Sequence, residues 1–454
     1  MSKRSYLLSF MLVVVFMTMV FAMSLTTSMA QDATATPPPT ITPAVAEMGT
    51  GGTHISFWNG LTGSDGVTLN AMLAQFATEH PDFSVTTEII PWATLYTKLQ
   101  AAFVAGQAPD VFLIRVAQLP QFVSYGVVSD LSSWYTSGGG TLPDDDFAQP
   151  AFSRVFIDGA PYAVPLDNHG RGAWINKDLF TAAGLDPDHY PADYEELISI
   201  AQQLTLDANG NNAASPDFDP SNTVQWGLAF DWPYTDWISF LYGNGGTMVS
   251  EDGKTATVNS EASVKALQRM YDLIYVYHVA PPPFPVYDSW LGYPAGQLAI
   301  ITTGSWFRNH AVNESPGING EAWPALPIGD QRSAWIGSHV FVVPNSTTGA
   351  QLDAVKTMVT WVADHEVDWA ASGQVPARIS AQAALDPATY PSNILLGQTF
   401  QQYGHLEPQC ISLLEFEDAM NPELSAALND QKTPQQALDD ANARIQEVLN
   451  RTPC

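Results

Sequence analysis

Residues 161–187 bring together polar side chains that could hold a polar ligand. Residues 162–166 are apolar and are predicted to form a buried strand. The polar residues that follow directly are Asp167, Asn168, His169 and Arg171. A second strand is expected at 173–175, and a short helix at 176–184. Polar groups placed between buried strands need hydrogen-bond partners, so the cluster predicts ligand contacts, above all through Asp167 and His169.

Motifs for catalysis and metal binding are missing from the sequence. The nine histidines are scattered without a His-Glu-x-x-His motif, and neither a Walker-type loop nor a G-x-S-x-G elbow occurs. Residues 207–212 are similar to the start of a calcium loop, but Asn212 replaces the glycine at its sixth position. Phe218 stands where a bidentate glutamate is required. We therefore expect a solvated turn there, with no enzymatic activity, no metal and no cofactor.

Segment 161–187 resembles the interdomain crossing of extracellular solute-binding proteins of sugar ABC importers, the maltose and multiple-sugar type. That family's usual form is V-P-hydrophobic-D-x-H, followed by Y-N-K-D-L-F-x-x-A-G-L-D-P. Here the corresponding letters are VPLDNH from position 164 and INKDLFTAAGLDP from position 175. Five further blocks follow the family's order: ISFWNGLTG at 55, AGQAPDV at 105, NGG at 244, GSW at 304 and GQVPARIS at 373. Together the blocks cover the chain from 54 to about 450.

The resemblance also indicates where ligand contacts should lie. A sugar offers apolar C–H faces to flat side chains, and its hydroxyl groups need fixed donors and acceptors. The candidate contacts besides Asp167 and His169 are Asn59, Thr62, Arg115, Trp232, Tyr234, Trp237, Asn244, Trp306, His339 and Arg378. Core packing is the alternative for each aromatic residue, and Trp134, Trp361 and Trp369 are expected to pack against helices. The chain departs from the family at Arg171, where relatives often carry a small or apolar residue, and no acidic residue follows Arg115.

Alternating strands and helices with short Gly/Pro joints predict an α/β fold with mostly parallel, helix-covered sheets. The resemblance implies a type II periplasmic-binding-protein-like fold, in which hinge strands link two lobes. Lobe one is then expected to comprise 53–165 and 300–345, and lobe two 166–298 and 346–454. Ligands of open α/β sheets bind beyond the carboxyl ends of the strands, so the cleft should be lined by residues that follow strands.

The amino terminus has the features of an export signal. Lys3 and Arg4 precede an uncharged run of 18 residues, and small residues at 28–30 provide a cleavage site. We expect a signal peptide at 1–30 and a Thr/Pro/Gly-rich linker at 31–52, with folded structure from His54. An uncleaved segment that anchors an exported protein is the alternative. Removing Lys3 and Arg4 leaves 15 positive and 46 negative side chains, a net charge of −31, which argues against nucleic acid as a partner.

Cys410 and Cys454 are the only cysteines of the sequence. In an oxidising compartment they could pair, closing a loop of about 45 residues and adding roughly 3–4 kcal/mol of stability. Two unpaired thiols are the alternative, because the sequence does not show the distance between them.

The resemblance implies an exported, monomeric protein that captures a mono- or oligosaccharide in the interdomain cleft and delivers it to an ABC permease. One alternative keeps the fold and binds a polyol or glycerol phosphate ester, with Arg115 and Arg378 on the phosphate. Another is a secreted glycoside hydrolase, which needs two carboxyl groups about 5–5.5 or 6.5–9.5 Å apart. The sequence alone places no such pair.

Overall fold

The computed structural model describes residues 44–283 and 285–454, so the expected signal segment and residues 31–43 of the expected linker lie outside the described residues. The strands are β1 (Ala44–Gly49), β2 (Thr53–Asn59), β3 (Phe83–Ile89), β4 (Val111–Arg115), β5 (Phe156–Ile157), β6 (Ala160–Pro161), β7 (Val164–Pro165), β8 (Asp167–Asn176), β9 (Leu206–Asp207), β10 (Thr223–Gln225), β11 (Ala229–Phe230), β12 (Ile300–Gly304), β13 (Gly320–Trp323), β14 (Ala334–Gly337), β15 (His339–Val342), β16 (Val375–Pro376) and β17 (Gly404–His405). The α-helices are α1 (Ser64–Glu79), α2 (Trp92–Ala105), α3 (Leu119–Ser124), α4 (Lys177–Ala182), α5 (Tyr194–Leu204), α6 (Pro233–Gly243), α7 (Glu261–Tyr275), α8 (Ser289–Gly292), α9 (Arg308–Val312), α10 (Gly349–Asp364), α11 (Glu366–Trp369), α12 (Ile379–Ala383), α13 (Pro391–Tyr403), α14 (Leu413–Leu428) and α15 (Pro434–Arg451).

The first sheet, in the order β1-β3-β2-β4-β15-β7, carries the first hydrophobic core. β2 runs parallel to both β3 and β4, and α1 and α2 connect these strands. α1 buries Leu69, Met72, Leu73 and Phe76, which recur at helical spacing in the sequence. This face packs in the core with the sheet.

Strand β1 is a departure from the expected linker. Residues 44–49 of the expected linker form a strand ahead of His54, and β1 pairs antiparallel with β3 along its whole length. The side chain of Met48 is buried in the first core. The pairing covers an edge of β3 that would otherwise expose unpaired backbone groups.

The second sheet has the order β11-β12-β8-β14-β17, and β13 and β16 also pair with β8. Every residue of β8 is buried, because these neighbours pair with it from Asp167 to Asn176. All of its neighbours run antiparallel to β8, whereas β11–β12 and β14–β17 are parallel pairs. Both sheets are therefore mixed rather than mostly parallel, since the first also contains the antiparallel pairs β1–β3, β4–β15 and β15–β7.

The chain passes between the two cores at adjacent segments. Leu166 separates β7 from β8, and its N–H donates to the carbonyl of His339 at 2.8 Å. Ser338 separates β14 from β15, and its carbonyl accepts from the N–H of Val116 at 2.8 Å. The N–H of Ala377, which follows β16, donates to the carbonyl of Leu166 at 3.4 Å. These crossing segments thus lie side by side.

The segments after residue 300 are distributed between the two cores differently from the predicted lobe limits. β12 and β14 lie in the second sheet, and only β15 of the region 300–345 joins the first sheet. α10 packs in the first core, although residues after 346 were expected in lobe two. The difference arises because the chain returns to the first core at Ser338, not near residue 300.

The carboxyl-terminal helices close the second core. α14 and α15 both contribute side chains to it. Thr433 caps α15 with a capping box, in which its side chain accepts from the N–H of Gln436 and the Gln436 side chain accepts from the N–H of Thr433. Cys410, just before α14, forms a disulfide with Cys454, which follows α15. Across 44–283 and 285–454, none of the helices has the length and apolar character needed to traverse a bilayer.

Candidate functional site

The carboxylate of Asp167 is the centre of a hydrogen-bonded cluster at the crossing. Its Oδ1 accepts from Nδ1 of His169 at 3.0 Å and from the N–H of His339 at 2.9 Å. Its Oδ2 accepts from Nδ1 of His339 at 2.7 Å and from Nε1 of Trp369 at 3.1 Å. Burial opposes the charge of Asp167, but the imidazoles and hydrogen bonds hold its pKa well below the usual value. One ionised carboxylate therefore fixes three side chains.

The two imidazoles are held in defined orientations. Nδ1 of each ring faces a carboxylate oxygen of Asp167. The His169 ring is neutral near pH 7, because its pKa is lowered, so its Nε2 atom is an acceptor when Nδ1 donates to Asp167. Burial lowers the pKa of His169 to about 4, with His339 contributing to the shift. The ring centroids of the two histidines lie 4.1 Å apart.

Indole rings lie on both sides of the two imidazoles, and together these rings form an aromatic surface. Trp92 stacks on His339 with centroids 5.3 Å apart and planes 3° apart. Trp335 and Trp306 lie 5.5 Å and 6.3 Å from His169 by ring centroid. The surface therefore runs from the first core, which holds Trp92, to the second, which holds Trp335 and Trp306. Flat apolar faces of this kind suit the C–H faces of a sugar.

A narrow cavity opens beside His169. Its lining residues come from both cores: Arg115, Val116, Ala117, Arg154, His169, Trp335, Ile336, Gly337, Leu406, Glu407, Pro408 and Gln409. Several of them follow the carboxyl ends of strands, namely β4, β14 and β17, as open α/β sheets lead one to expect. The cavity combines an apolar wall with a few fixed polar groups, which is the usual make-up of a small-molecule site.

Glu407 is a buried acid on the wall of this cavity. Its Oε1 accepts from the hydroxyl of Tyr234 at 3.0 Å, and its Oε2 accepts from Nε1 of Trp335 at 3.1 Å. Burial, followed by the nearby charge of Glu417, raises the pKa of Glu407 to about 7. Below that pH, Glu407 is therefore a neutral group that fixes the Trp335 ring.

Arg115 joins the two cores across the cavity. Its Nη2 donates to Oε1 of Glu417 on α14 at 2.6 Å, and Gln118 Nε2 donates to the same oxygen at 3.0 Å. Burial opposes the charge of Arg115, yet Glu417 raises its pKa well above the usual value. The acidic partner that is missing after Arg115 in the sequence is thus supplied by a distant helix.

Arg171 is buried in the second core, where its guanidinium is hydrogen-bonded. Its guanidinium donates to Thr235 Oγ1 and to the carbonyls of Thr302 and Trp232, each at 3.0 Å. Asp231 and Asp236 lie 3.8 Å and 3.6 Å from Nη1. Burial and the charge of Asp231 raise the pKa of Asp236 to about 7, while Arg171 opposes the shift. The Arg171 guanidinium positions the backbone at Trp232, and Trp232 itself is 55% exposed.

The structure brings some sequence-predicted site residues together and separates others. Those that lie at the cavity or in the aromatic surface beside it are Arg115, Asp167, His169, Tyr234, Trp306 and His339. Asn59 is buried and shapes its own loop by accepting from the N–H of Leu61, and Thr62 is exposed. Trp237 is packed in the second core, and the side chain of Asn244 bonds to Phe240 and Arg269.

Arg378 is not part of the cavity lining. Its Nε donates to Asp146 at 2.6 Å and its Nη1 to Asp364 at 3.2 Å. The guanidinium that was expected to face a ligand is therefore paired with these two carboxylates. Arg378 follows the crossing segment around Ala377 and forms a backbone bridge with Phe147.

Some cavity residues were not among the sequence-based candidates. Glu407 and Arg154 lie in irregular or single-turn segments, where no hydrophobic period marks which side chain points inward. Trp369, expected to pack against helices, also donates to Asp167. Trp92 begins α2 shortly after β3, and that placement is the signal that could have identified it. Trp335 lies within β14, where no such signal marks it.

The cluster at the crossing also has the spacing of metal ligands. One ligand atom each of Asp167, His169 and His339 lies within 4.8 Å of the others. Both Nδ1 atoms, however, already donate to the carboxylate. These hydrogen bonds account for the arrangement without an ion.

Comparison with known proteins identifies relatives of the whole folded part. A family model for bacterial extracellular solute-binding proteins matches residues 59–369. A binding protein of Brucella abortus is 23% identical over 279 residues, 60% of this chain and 63% of that protein's length. An arabinooligosaccharide-binding protein of Halalkalibacterium halodurans is 23% identical over 321 residues, 66% of each chain. The solved structure of an ABC substrate-binding protein of Listeria monocytogenes in complex with cycloalternan aligns with a TM-score of 0.74 and 21% identity, over 87% of this chain and 99% of that one.

Proposed function

This chain belongs to the bacterial extracellular solute-binding protein family, and we propose that it captures a carbohydrate in the cleft between its two lobes for an ABC importer. The observation that carries the proposal is the cavity at His169, which is lined from both hydrophobic cores. The relative that binds arabinooligosaccharides and the neighbour bound to cycloalternan support this ligand class.

The polar and apolar groups of the site match the needs of a sugar. Trp335 and Trp306 offer ring surfaces, and the Nε2 atom of His169 is an acceptor for a hydroxyl group. The guanidinium groups of Arg115 and Arg154 offer donors. These groups bind and orient a ligand, and the proposed activity is binding alone.

We place the lobe limits at the crossing segments. Lobe one then comprises 44–165 and 339–369, and lobe two comprises 167–337 and 379–454, joined through Leu166, Ser338 and the segment around Ala377. Bending at these three segments would close the lobes on the ligand and present a surface to the permease. Export through the segment 1–30, with cleavage or with retention as an anchor, belongs to the same proposal.

Titration calorimetry with a panel of neutral and acidic mono- and oligosaccharides tests the function. We expect one class to bind. His169→Ala should then weaken its binding about tenfold, since a lost hydrogen bond costs about 1–1.5 kcal/mol. His189→Ala is the matched control, because His189 is exposed and bonds only to Glu196. A panel with no binding, or equal affinity in the His169 variant, would contradict the proposal.

A further inference from the structure

Arg154 differs from every other arginine of 44–283 and 285–454. Each of the others donates to a carboxylate, an amide or a carbonyl, for example Arg332 to backbone oxygens and Arg444 to Glu423. No such partner is recorded for the guanidinium of Arg154 within these residues. The chain has 46 acidic side chains and 17 basic ones, so an unmatched arginine is unexpected on composition alone.

The position of Arg154 is well defined. It lies on the 3-10 turn Ala151–Val155, which is anchored in the first core by Phe152 and Val155. Its carbonyl accepts from Nε2 of Gln409 at 3.3 Å, which ties the turn to the second lobe's wall of the cavity. The residue is half-buried and lines the cavity together with His169.

No ion pair within 44–283 and 285–454 involves the Arg154 guanidinium. Burial lowers its pKa, and the only group that opposes this effect is Tyr242, a neutral phenol at physiological pH. A partly desolvated cation without a counter-ion is costly to the folded protein. A ligand that supplies the anion removes that cost.

The other arginine of the cavity lining is already paired with a carboxylate. Arg115 is neutralised by Glu417, and His169 is a neutral ring bound to Asp167. Glu407 receives hydrogen bonds from Tyr234 and Trp335 rather than from a cation. Arg154 is therefore the arginine of the cavity lining that has no carboxylate partner among the described residues.

We propose that the ligand carries a carboxylate, as a uronic acid or an acidic oligosaccharide does, and that this carboxylate pairs with Arg154. The inference rests on the proposed function and narrows its ligand class. A guanidinium fork matches the two oxygens of a carboxylate. A single unmatched positive charge balances a carboxylate, whereas a phosphate ester near pH 7 would leave negative charge unbalanced.

Calorimetry at low salt with matched pairs of ligands tests the proposal on the purified protein. The pairs are glucuronate with glucose, galacturonate with galactose, and digalacturonate with galactobiose. Galactose 6-phosphate is added to test a phosphate ester. We expect an acidic member to bind at least tenfold more tightly than its neutral counterpart and more tightly than the phosphate. Arg154→Gln should remove this preference, because it should weaken binding of the acidic sugar at least tenfold more than binding of its neutral counterpart.

Arg451→Gln is the control, because Arg451 is exposed and pairs with the exposed Glu415. Thermal melting of each variant verifies that it is folded. Neutral sugars that bind as tightly as the acidic ones, or equal losses for both in Arg154→Gln, would overturn the inference and leave the proposed function standing. Tighter binding of galactose 6-phosphate than of the uronic acids would overturn the assignment of a carboxylate to the ligand. Binding of no carbohydrate at all would overturn both the inference and the proposed function.

Discussion

The buried ionisable residues around the cavity respond to pH in opposite directions. The pKa of His169 falls from 6.5 to about 4 and that of Asp167 lies below its usual value, so both contribute stability that is lost as the pH falls. The loss for His169 occurs between pH 6.5 and 4. Glu407 behaves in the opposite sense: its pKa rises from 4.5 to about 7, so the fold loses stability as the pH rises through that window. The cavity should thus be most stable in weakly acidic solution.

Glu407→Gln should raise stability at pH 8 by roughly 1–3 kcal/mol and leave it nearly unchanged at pH 4.5. The amide keeps both hydrogen bonds, since its oxygen can accept from Trp335 and its NH₂ can donate to Tyr234. Urea denaturation at pH 4.5, 6 and 8 measures the change. Glu447→Gln, an exposed substitution on α15, is the control. An identical pH dependence in wild type and Glu407→Gln would contradict the assignment.

Single residues were predictable from the sequence where they follow strands. Asp167, His169 and His339 could be predicted as a polar group at the crossing, because polar types follow two apolar strands. Their mutual hydrogen bonds could not be predicted, since residues 167 and 339 meet only through the fold. Arg154 gave no signal, because its single-turn segment has no period that orients it.

At the level of elements, β8 shows how tertiary contacts override a local pattern. The sequence predicted a polar cluster between two strands, yet in the structure the cluster is part of the second strand, which runs from Asp167 to Asn176. Gly170 and Gly172 permit this, because a methyl group at either would lie less than 3 Å from neighbouring atoms such as the Trp335 and Trp323 carbonyls. Capped helices were more predictable, as Thr433 of α15 illustrates, because a cap is local.

Gly337, at the end of β14, tests how closely the second sheet holds His169. A methyl group there would lie 2.6 Å from Nε2 of His169, so Gly337→Ala should displace the ring from its bond with Asp167. We expect a loss of about 1–3 kcal/mol in the free energy of unfolding, measured by urea denaturation, and about tenfold weaker carbohydrate binding. Gly52→Ala, with no atom within 4 Å of its new methyl group, is the control. Equal stability of the two variants would show that the ring has room to move.

For the molecule as a whole, the crossing segments and Glu417 have opposite roles. In the proposed closure, the lobes bend relative to each other at the crossing segments. Glu417, on α14 of the second lobe, holds Arg115 and Gln118 of the first. The order of segments within each lobe could not be predicted in full, because α10 and β12 have the same local pattern in either lobe. Only the pairing of β12 with β8 decides its place.

Glu417→Gln should shift the ligand-free protein toward an open form. The substitution removes a partly buried, charge-assisted contact between the lobes, and a loss of about 1.4 kcal/mol raises the open-to-closed ratio about tenfold. Spin labels on cysteines introduced at the exposed positions Val104 and Val276, one on each lobe, report the distance between lobes by pulsed electron resonance. We expect a longer, broader distance distribution in Glu417→Gln than in Glu447→Gln. Because an open cleft releases its ligand faster, Glu417→Gln should also raise the dissociation rate of the ligand. Distance distributions that coincide in the two variants would show that Arg115 and Glu417 do not hold the lobes together.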